Sequence, residues 1–243
     1  MLSSFGAPLN VAVVGSNGGI GQALHSALAT APDVAHAFAL SRAPGDGPDD
    51  LYLDIEDEGS IIAAAGEIKE LASNLDLVIV ATGVLHDGAD MQPEKALRTL
   101  DPAAIERAFR VNATGPALVA KHFLPLLPRD HKAAFAALSA RVGSISDNGL
   151  GGWYAYRASK AALNMLIRNM SIELARRHPM ALCVGLHPGT VDTRLSAPFQ
   201  RGVSEGKLFT PARSAGHLLD VLDRLGPADT GGVFAWDGQR IAE

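Results

Sequence analysis

Residues 11–21 constrain the fold more than any other stretch of this chain. An apolar run, 11–14, leads into Gly15-Ser16-Asn17-Gly18-Gly19-Ile20-Gly21, and the helix-prone residues 22–28 follow. So many glycines predict a sharp backbone turn that a ligand can approach closely, because no Cβ stands in the way. The first amides of a helix have no intrahelical partner and lie at the positive end of its dipole, so a strand-to-helix turn of this kind suits a phosphate. The spacing is G-x-x-x-G-x-G, not the G-x-G-x-x-G of the usual dinucleotide fingerprint. The turn therefore needs support from the rest of the chain.

That support begins with periodicity. Apolar runs at 9–14, 36–40, 51–53, 75–81, 133–138, 181–186 and 232–235 predict buried strands. Helical patterns at 20–29, 60–74, 102–127, 154–177 and 211–225 lie between most of them. Strands alternating with helices predict an α/β, three-layer, doubly wound and mostly parallel sheet of about seven strands with helices on both faces. No repeat or linker interrupts the pattern, so residues 1–243 are expected to form a single domain, with the polar, Gly-containing segment 196–208 as a substrate lid.

Composition excludes several function classes. Asp and Glu number 26 against 21 Lys and Arg, and a net charge of −5 argues against nucleic acid as the main partner. Cys183 is the single cysteine, in an apolar run, so it reads as a small buried hydrophobe and no disulfide can form within the chain. The eight histidines show no metal-ligand spacing with that cysteine, so no metal is expected. No apolar stretch reaches the roughly 18 residues of a membrane span. Residues 1–8 lack the basic start and apolar core of a secretory signal, and the expected location is cytoplasmic.

Tyr156 and Lys160 stand four apart on a predicted helix and so share one face. A free tyrosine titrates near about 10. An adjacent ammonium favours the phenolate and lowers that value, which makes the pair a proton donor suited to neutral pH. Asn112 lies four residues before Pro116 in the helical pattern 102–127. Proline offers no N–H, so the carbonyl of residue 112 is free to hold a water; the alternative is a tolerated kink. His187 reads as structural. Trp153 and Tyr154 either wall a substrate pocket or pack. Leu163, Leu166, Ile167, Met170 and Leu174 recur at helical spacing and form either core or a subunit interface.

With these residues in hand, the chain resembles the short-chain dehydrogenase/reductase family over nearly its whole length. The landmarks are the 15–21 glycine turn, Asn112, Tyr156 with Lys160, and Pro188-Gly189-Thr190-Val191-Asp192-Thr193, in the family's order and at about its spacings. The segment from Gly151 to Asn164 looks most like the C-factor/sniffer-like branch. The resemblance implies a Rossmann-like fold and hydride transfer between a nicotinamide cofactor and a small carbonyl or hydroxyl compound. Tyr156 would exchange the proton, Lys160 would hold the nicotinamide ribose, and the Asn112 carbonyl would anchor a water in a proton relay. Gly15, Ser16, Asn17, Gly19, Ile20 and Gly21 would hold the phosphates. Asp54 and Ile55 would meet the adenine ring, although Asp54 could equally cap the following helix. Ala81, Thr82, Gly83, Pro188, Gly189, Val191 and Thr193 would line the nicotinamide side. Family members often pair through the Asn112 and Tyr156 helices, so a homodimer or homotetramer is expected.

Three departures carry information. Strand 36–40 ends at Ser41-Arg42 with no acid, where an NAD enzyme of this fold commonly has one. Arg42 there predicts NADP(H) over NAD(H), unless it is a plain surface arginine. The family's N-N-A-G becomes Ala81-Thr82-Gly83 with no asparagine. The serine three residues before the loop glycine, in S-S-x-x-G, is replaced: Leu138-Ser139-Ala140-Arg141-Val142-Gly143 puts Ala140 at that position. Ser139 is the nearest candidate, with Ser144 or no serine as alternatives, because neighbouring strand residues face opposite ways. These departures keep a second class open, an NAD(P)-binding sensor without turnover. Substrate specificity is expected in 85–91, 144–153 and 196–208.

Overall fold

Apolar runs without polar alternation form strands that are buried on both faces. The computed structural model describes residues 2–88 and 91–242. Its strands are β1 (Leu9–Val14), β2 (Val34–Ser41), β3 (Asp50–Tyr52), β4 (Leu77–Val80), β5 (Ala133–Leu138), β6 (Ala181–His187), β7 (Thr190–Val191), β8 (Leu208–Phe209) and β9 (Val233–Ala235). Its α-helices are α1 (Gly19–Ala29), α2 (Glu58–Leu71), α3 (Pro102–Phe109), α4 (Gly115–Phe123), α5 (Tyr154–Leu174) and α6 (Pro211–Arg224). Seven strands pair in the order β3-β2-β1-β4-β5-β6-β9, all parallel. The order reverses direction at β1, between β2 and β4, and a crevice outside the strand C-termini is the expected ligand position in such a sheet. β7 and β8 form a separate parallel pair that pins both ends of the 192–207 excursion.

Two apolar layers cover the sheet. Leu24 and Leu28 of α1 and Leu218 and Leu222 of α6 pack on Val11, Val13, Ile79 and Leu186. On the other face, Ile61 and Ile68 of α2, Phe123 of α4 and Leu163 and Ile167 of α5 pack on Phe38, Val78 and Phe135. The apolar stripe on α5 is thus core within one chain: Leu163, Ile167 and Leu174 are buried and Met170 packs against the same cluster. Burial also pushes the Cys183 thiol up to about 12, so it is a packing residue.

The predicted helix 102–127 is not one α-helix. α3 gives way to a π turn at Arg110–Thr114 before α4, and a 3-10 turn follows at Leu124–Leu126. Pro116 removes the donor that Asn112 would need. Gly115 brings the helix hard against the chain after β3, where a Cβ would come within 2.4 Å of Ile55 Cγ1. π turns recur at functional sites because they redirect one side chain within a helix. Here the redirected residue is Asn112. The lid prediction is partly regular structure: Ala197–Phe199 form a 3-10 turn and Leu208 belongs to β8.

Candidate active site

The glycine turn sits where β1 meets α1, at the C-terminal edge of the sheet. Gly15 adopts φ +86°, and a Cβ there would lie 2.9 Å from Thr82 Cγ2. A Cβ on Gly21 would lie 2.1 Å from the Gly15 carbonyl oxygen, so the turn closes only with glycine. No side chain caps α1. Asn17 Nδ2 donates to Ser41 Oγ (3.0 Å) and to the Ala43 carbonyl (2.7 Å), which ties the turn to the end of β2. Ser16 and Ser41 are buried and Ile20 partly so, while Arg42 is exposed beside them. A phosphate-bearing nucleotide fits this cradle: its walls are backbone that admits no Cβ, its helix amides have no side-chain cap, and the buried Thr82 Oγ1 has no partner.

Other proposed cofactor contacts have structural work already. Asp54 accepts the Glu56 amide at 3.0 Å, but the cap of α2 is Asp57, whose Oδ1 accepts from Gly59. The expectation that Asp54 could cap that helix is therefore corrected. Ile55 is buried beneath Gly115. Ala81 donates its amide to Val14 and so extends the β1–β4 pairing. Across the crevice, Thr193 meets the glycine turn, since a Cβ on Gly19 would lie 2.8 Å from its Cγ2. Pro188 accepts from Ser214 Oγ at 2.9 Å, and Gly189 (φ +79°) lies so close to Phe209 and Trp236 that only glycine fits. Val191 is buried, and its carbonyl accepts from Ser196 Oγ.

Tyr156, Lys160 and Asn112 converge. Asn112 is fully buried; its Oδ1 accepts the Val84 amide and its Nδ2 donates to the Val84 carbonyl, both at 2.8 Å. Nδ2 also reaches Ser159 Oγ at 3.1 Å, so the π turn is tied both to the chain after β4 and to α5. Lys160 is 3% exposed and donates to the Leu138 carbonyl at 2.6 Å. Gly143 permits that approach, because a Cβ there would lie 2.8 Å from Lys160 Cβ. Lys160 Nζ lies 5.9 Å from the centre of the Tyr156 ring.

The charges do not follow the sequence argument. Burial pushes the Tyr156 phenol up to about 12 and the Lys160 ammonium down to about 7. Removal from water disfavours both charged forms. The ammonium, turned onto Leu138, does not lower the phenol. The expected depression of the tyrosine is therefore absent in this arrangement.

Neither candidate serine is free. Ser139 Oγ donates to Asn164 Oδ1 at 2.6 Å, and Ser144 Oγ accepts the Asp147 amide at 3.1 Å. Ala140 extends from β5 with no hydroxyl to offer. His187 Nδ1 is buried without a partner, and burial, aided by Arg141, pushes this imidazole down to about 4, so it stays neutral.

Sequence reasoning missed Glu94 and, within the expected lid 196–208, did not single out Phe199. Glu94 is a buried carboxylate whose Oε2 accepts the Ala155 amide at 3.2 Å, and whose carbonyl accepts the Trp153 amide at 2.6 Å. It occupies the place of a side-chain cap on α5, where Trp153 supplies none. Phe199 from the lid meets Trp153 at 5.1 Å between ring centres. No local motif marks either residue. Ala89 and Asp90 of the proposed specificity loop 85–91 lie outside the described residues, as do residues 1 and 243 of the domain assignment. Among the described residues no group of His, Cys, Asp and Glu could hold a metal, and no helix is long and apolar enough to cross a membrane.

Residues 9–203 match the family described as short chain dehydrogenase. The chain is 38% identical over 146 residues to the C-signal of Myxococcus xanthus, covering 60% of this chain and 82% of that one. It is 32% identical over 186 residues to a 1-hydroxy-2-glutathionyl-2-methyl-3-butene dehydrogenase of a Rhodococcus species, covering 76% of each. Among solved structures, the NADPH-bound carbonyl reductase from chicken fatty liver aligns with a TM-score of 0.82 at 28% identity, over 100% of this chain and 97% of that one. The carbonyl reductase Sniffer of D. melanogaster aligns with a TM-score of 0.82 at 23% identity, over 96% and 99%.

Proposed function

Since the chain belongs to the short-chain dehydrogenase family, in its C-factor/sniffer-like branch, we propose that it transfers a hydride between NADP(H) and a small carbonyl or hydroxyl compound. The observation that carries this reading is the joining of Asn112, Tyr156 and Lys160 beside a turn that admits only glycine. The nicotinamide supplies the hydride. Tyr156 gives its phenolic proton to the oxygen of the carbonyl, or takes it back in the reverse direction. With the cofactor bound, Lys160 would hold the ribose hydroxyls, and an ammonium beside Tyr156 would favour the phenolate. Asn112 ties the π turn to Val84 and Ser159, and its backbone carbonyl would anchor the water of a proton relay to Lys160. The 15–21 turn takes the diphosphate.

Arg42 supports NADP(H). It is an exposed guanidinium at the end of β2, next to the Asn17–Ser41 clasp, where a 2′-phosphate would lie. The name of the chicken reductase structure, NADPH-bound, agrees with this reading. Arg42→Ala should lower kcat/KM with NADPH about tenfold and leave NADH almost unchanged. Equal or better use of NADH by the native chain would overturn the preference. The working form is taken to be a homo-oligomer in the cytoplasm, in keeping with Met165 and Ile172 exposed on α5. Solution scattering at micromolar concentration checks the assembly, and a monomer refutes it.

A second reading has one observation in its favour. Ala140 stands at the serine position while Ser139 and Ser144 are both engaged elsewhere. A site with one donor fewer suits a nucleotide-binding sensor. NADPH binding by fluorescence, followed by a carbonyl screen with Tyr156→Phe as control, separates the two. Tight binding without turnover across the panel favours the sensor. In the hydride-transfer reading Ser139 is the nearest candidate for the serine role, and Ser139→Ala beside Ser144→Ala separates it from Ser144; unchanged kcat in both leaves the role to neither serine.

A further inference from the structure

We infer that Trp153 selects the substrate and that the carbonyl compound received at Tyr156 is a planar aromatic one; the inference rests on the hydride-transfer reading above. Three segments far apart in sequence bring rings together beside the catalytic phenol. Trp153 lies 6.2 Å from Tyr156 at 76°, Phe199 lies 5.1 Å from Trp153 at 60°, and His86 lies 5.8 Å from Phe199 at 66°, all measured between ring centres. Each is an edge-to-face contact of the kind aromatic quadrupoles prefer.

The backbone is shaped to place this indole. Gly151 and Gly152 have φ of 64° and 67°, and Trp153 continues the left-handed run at φ 50° and ψ 45°. It is the one non-glycine residue with positive φ among the described residues. Bulky side chains rarely adopt that conformation. Glu94 holds it there, its carbonyl on the Trp153 amide and its carboxylate on the Ala155 amide. An ordinary helix entry needs none of this, since a serine or aspartate cap suffices. A strained aromatic residue next to the proton-transfer group points to a role in recognition.

Phe199 is presented by a tied segment. Its amide donates to the Ser196 carbonyl at 2.8 Å, and Gln200 Nε2 donates to Asp192 Oδ1 at 2.9 Å. His86 joins the same segment through the Arg194 carbonyl at 3.2 Å. Phe199 makes with Trp153 the contact that an aryl ring of the substrate would make on displacing it. A saturated ring of equal size is thicker and lacks the quadrupole, so it loses that contact.

Acetophenone and cyclohexyl methyl ketone, matched in carbon count, test this. The native chain with NADPH should favour acetophenone about tenfold in kcat/KM. Trp153→Phe should keep the preference and Trp153→Leu should bring the ratio close to one. Phe199→Ala should raise kcat/KM for both ketones without changing their ratio. Far-UV circular dichroism checks each variant, and Trp153→Met replaces Trp153→Leu if that variant does not fold. A native ratio near one, or a ratio that survives loss of the aromatic ring, overturns the inference. If no ketone is turned over, the hydride-transfer reading fails separately. Binding then decides: the 19F line of 4-fluoroacetophenone, with oxidised cofactor present, should broaden with the native chain and not with Trp153→Leu. Equal broadening, or none with either, overturns the inference.

Discussion

The two edges of the same sheet treat buried polar groups in opposite ways. At the N-terminal edge, Asp76 is 2% exposed and has three partners: the Asn10 amide, Asn74 Nδ2 and His131 Nε2, all within 2.9 Å. Lys132 beside it donates to Ser4 Oγ and to the carbonyls of Leu222 and Asp223. At the C-terminal edge, Thr82 Oγ1, Glu94 Oε1, Arg157 Nε and His187 Nδ1 are buried without partners, and burial displaces both Tyr156 and Lys160 from their ordinary titration ranges. A buried polar atom without a hydrogen bond is costly. Among the described residues these buried side-chain atoms left open lie where strands end, although Asn112 and Lys160 there are bonded. That asymmetry matches a sheet whose ligand crevice lies outside the strand C-termini.

Substitutions at the two edges should therefore split cleanly between turnover and stability. The largest effect belongs to the C-terminal edge. Tyr156→Phe should lower kcat by about 10²- to 10⁴-fold, as loss of a positioned proton donor does, with NADPH affinity and unfolding midpoint unchanged. Retained turnover would dismiss the phenol as the donor. At the other edge, Asp76→Ala should cost about 3 kcal/mol in urea unfolding, because it strands the Asn10 amide and Asn74 together. Its kcat/KM should stay at the native value, and a fall in turnover without a fall in stability would break the division. Lys160→Met is the third test. With its pKa down at about 7, Lys160 is about half protonated near pH 7 when folded but fully protonated when unfolded, so the fold binds fewer protons between about 7 and 10. Burying this lysine therefore weakens the fold at neutral pH, and the penalty fades as pH rises toward 10. Lys160→Met should gain about 2 kcal/mol at pH 7, less at pH 10, and lose activity. A stability loss at pH 7 would show that the Leu138 hydrogen bond outweighs desolvation.

The layered sheet was legible in the sequence because its strands are uninterrupted apolar runs, and the glycine turn because sterics leave no other residue at Gly21. The site was legible where one residue type serves one purpose: Asn112, Tyr156 and Lys160 do meet. Three things were not. The π turn within 102–127 depends on Gly115 seating against Ile55, a contact made across 60 residues of chain. The titration of Tyr156 and Lys160 depends on burial, which helical spacing does not express; four residues apart predicted one face but not that Lys160 would bond Leu138. Glu94 lies in a segment without periodicity, and its role appears only once Trp153 and Ala155 are seen to need an acceptor.

The smallest expected effect tests whether the N-terminal edge is tuned by charge or only by packing. His131 lies between Asp76 and Asp130, with a ring nitrogen 2.8 Å from each carboxylate. The hydrogen bond to Asp76, opposed by partial burial and helped by Asp130, raises its pKa above 6.5. A raised value means that the folded chain holds the proton more tightly than the unfolded one. The contribution is fully present below about 6.5 and disappears as pH climbs through the folded value. The side chain is 44% exposed, so solvent screens the pair and the gain is a few tenths of a kcal/mol. Native chain and His131→Gln should differ more in urea midpoint at pH 6 than at pH 9, with equal kcat/KM at both. The reverse order would mean that neutral His131 is the stabilising form, held as a plain hydrogen-bond donor to Asp76. The N-terminal edge would then be set by geometry alone, and charge would distinguish only the edge that carries Tyr156 and Lys160.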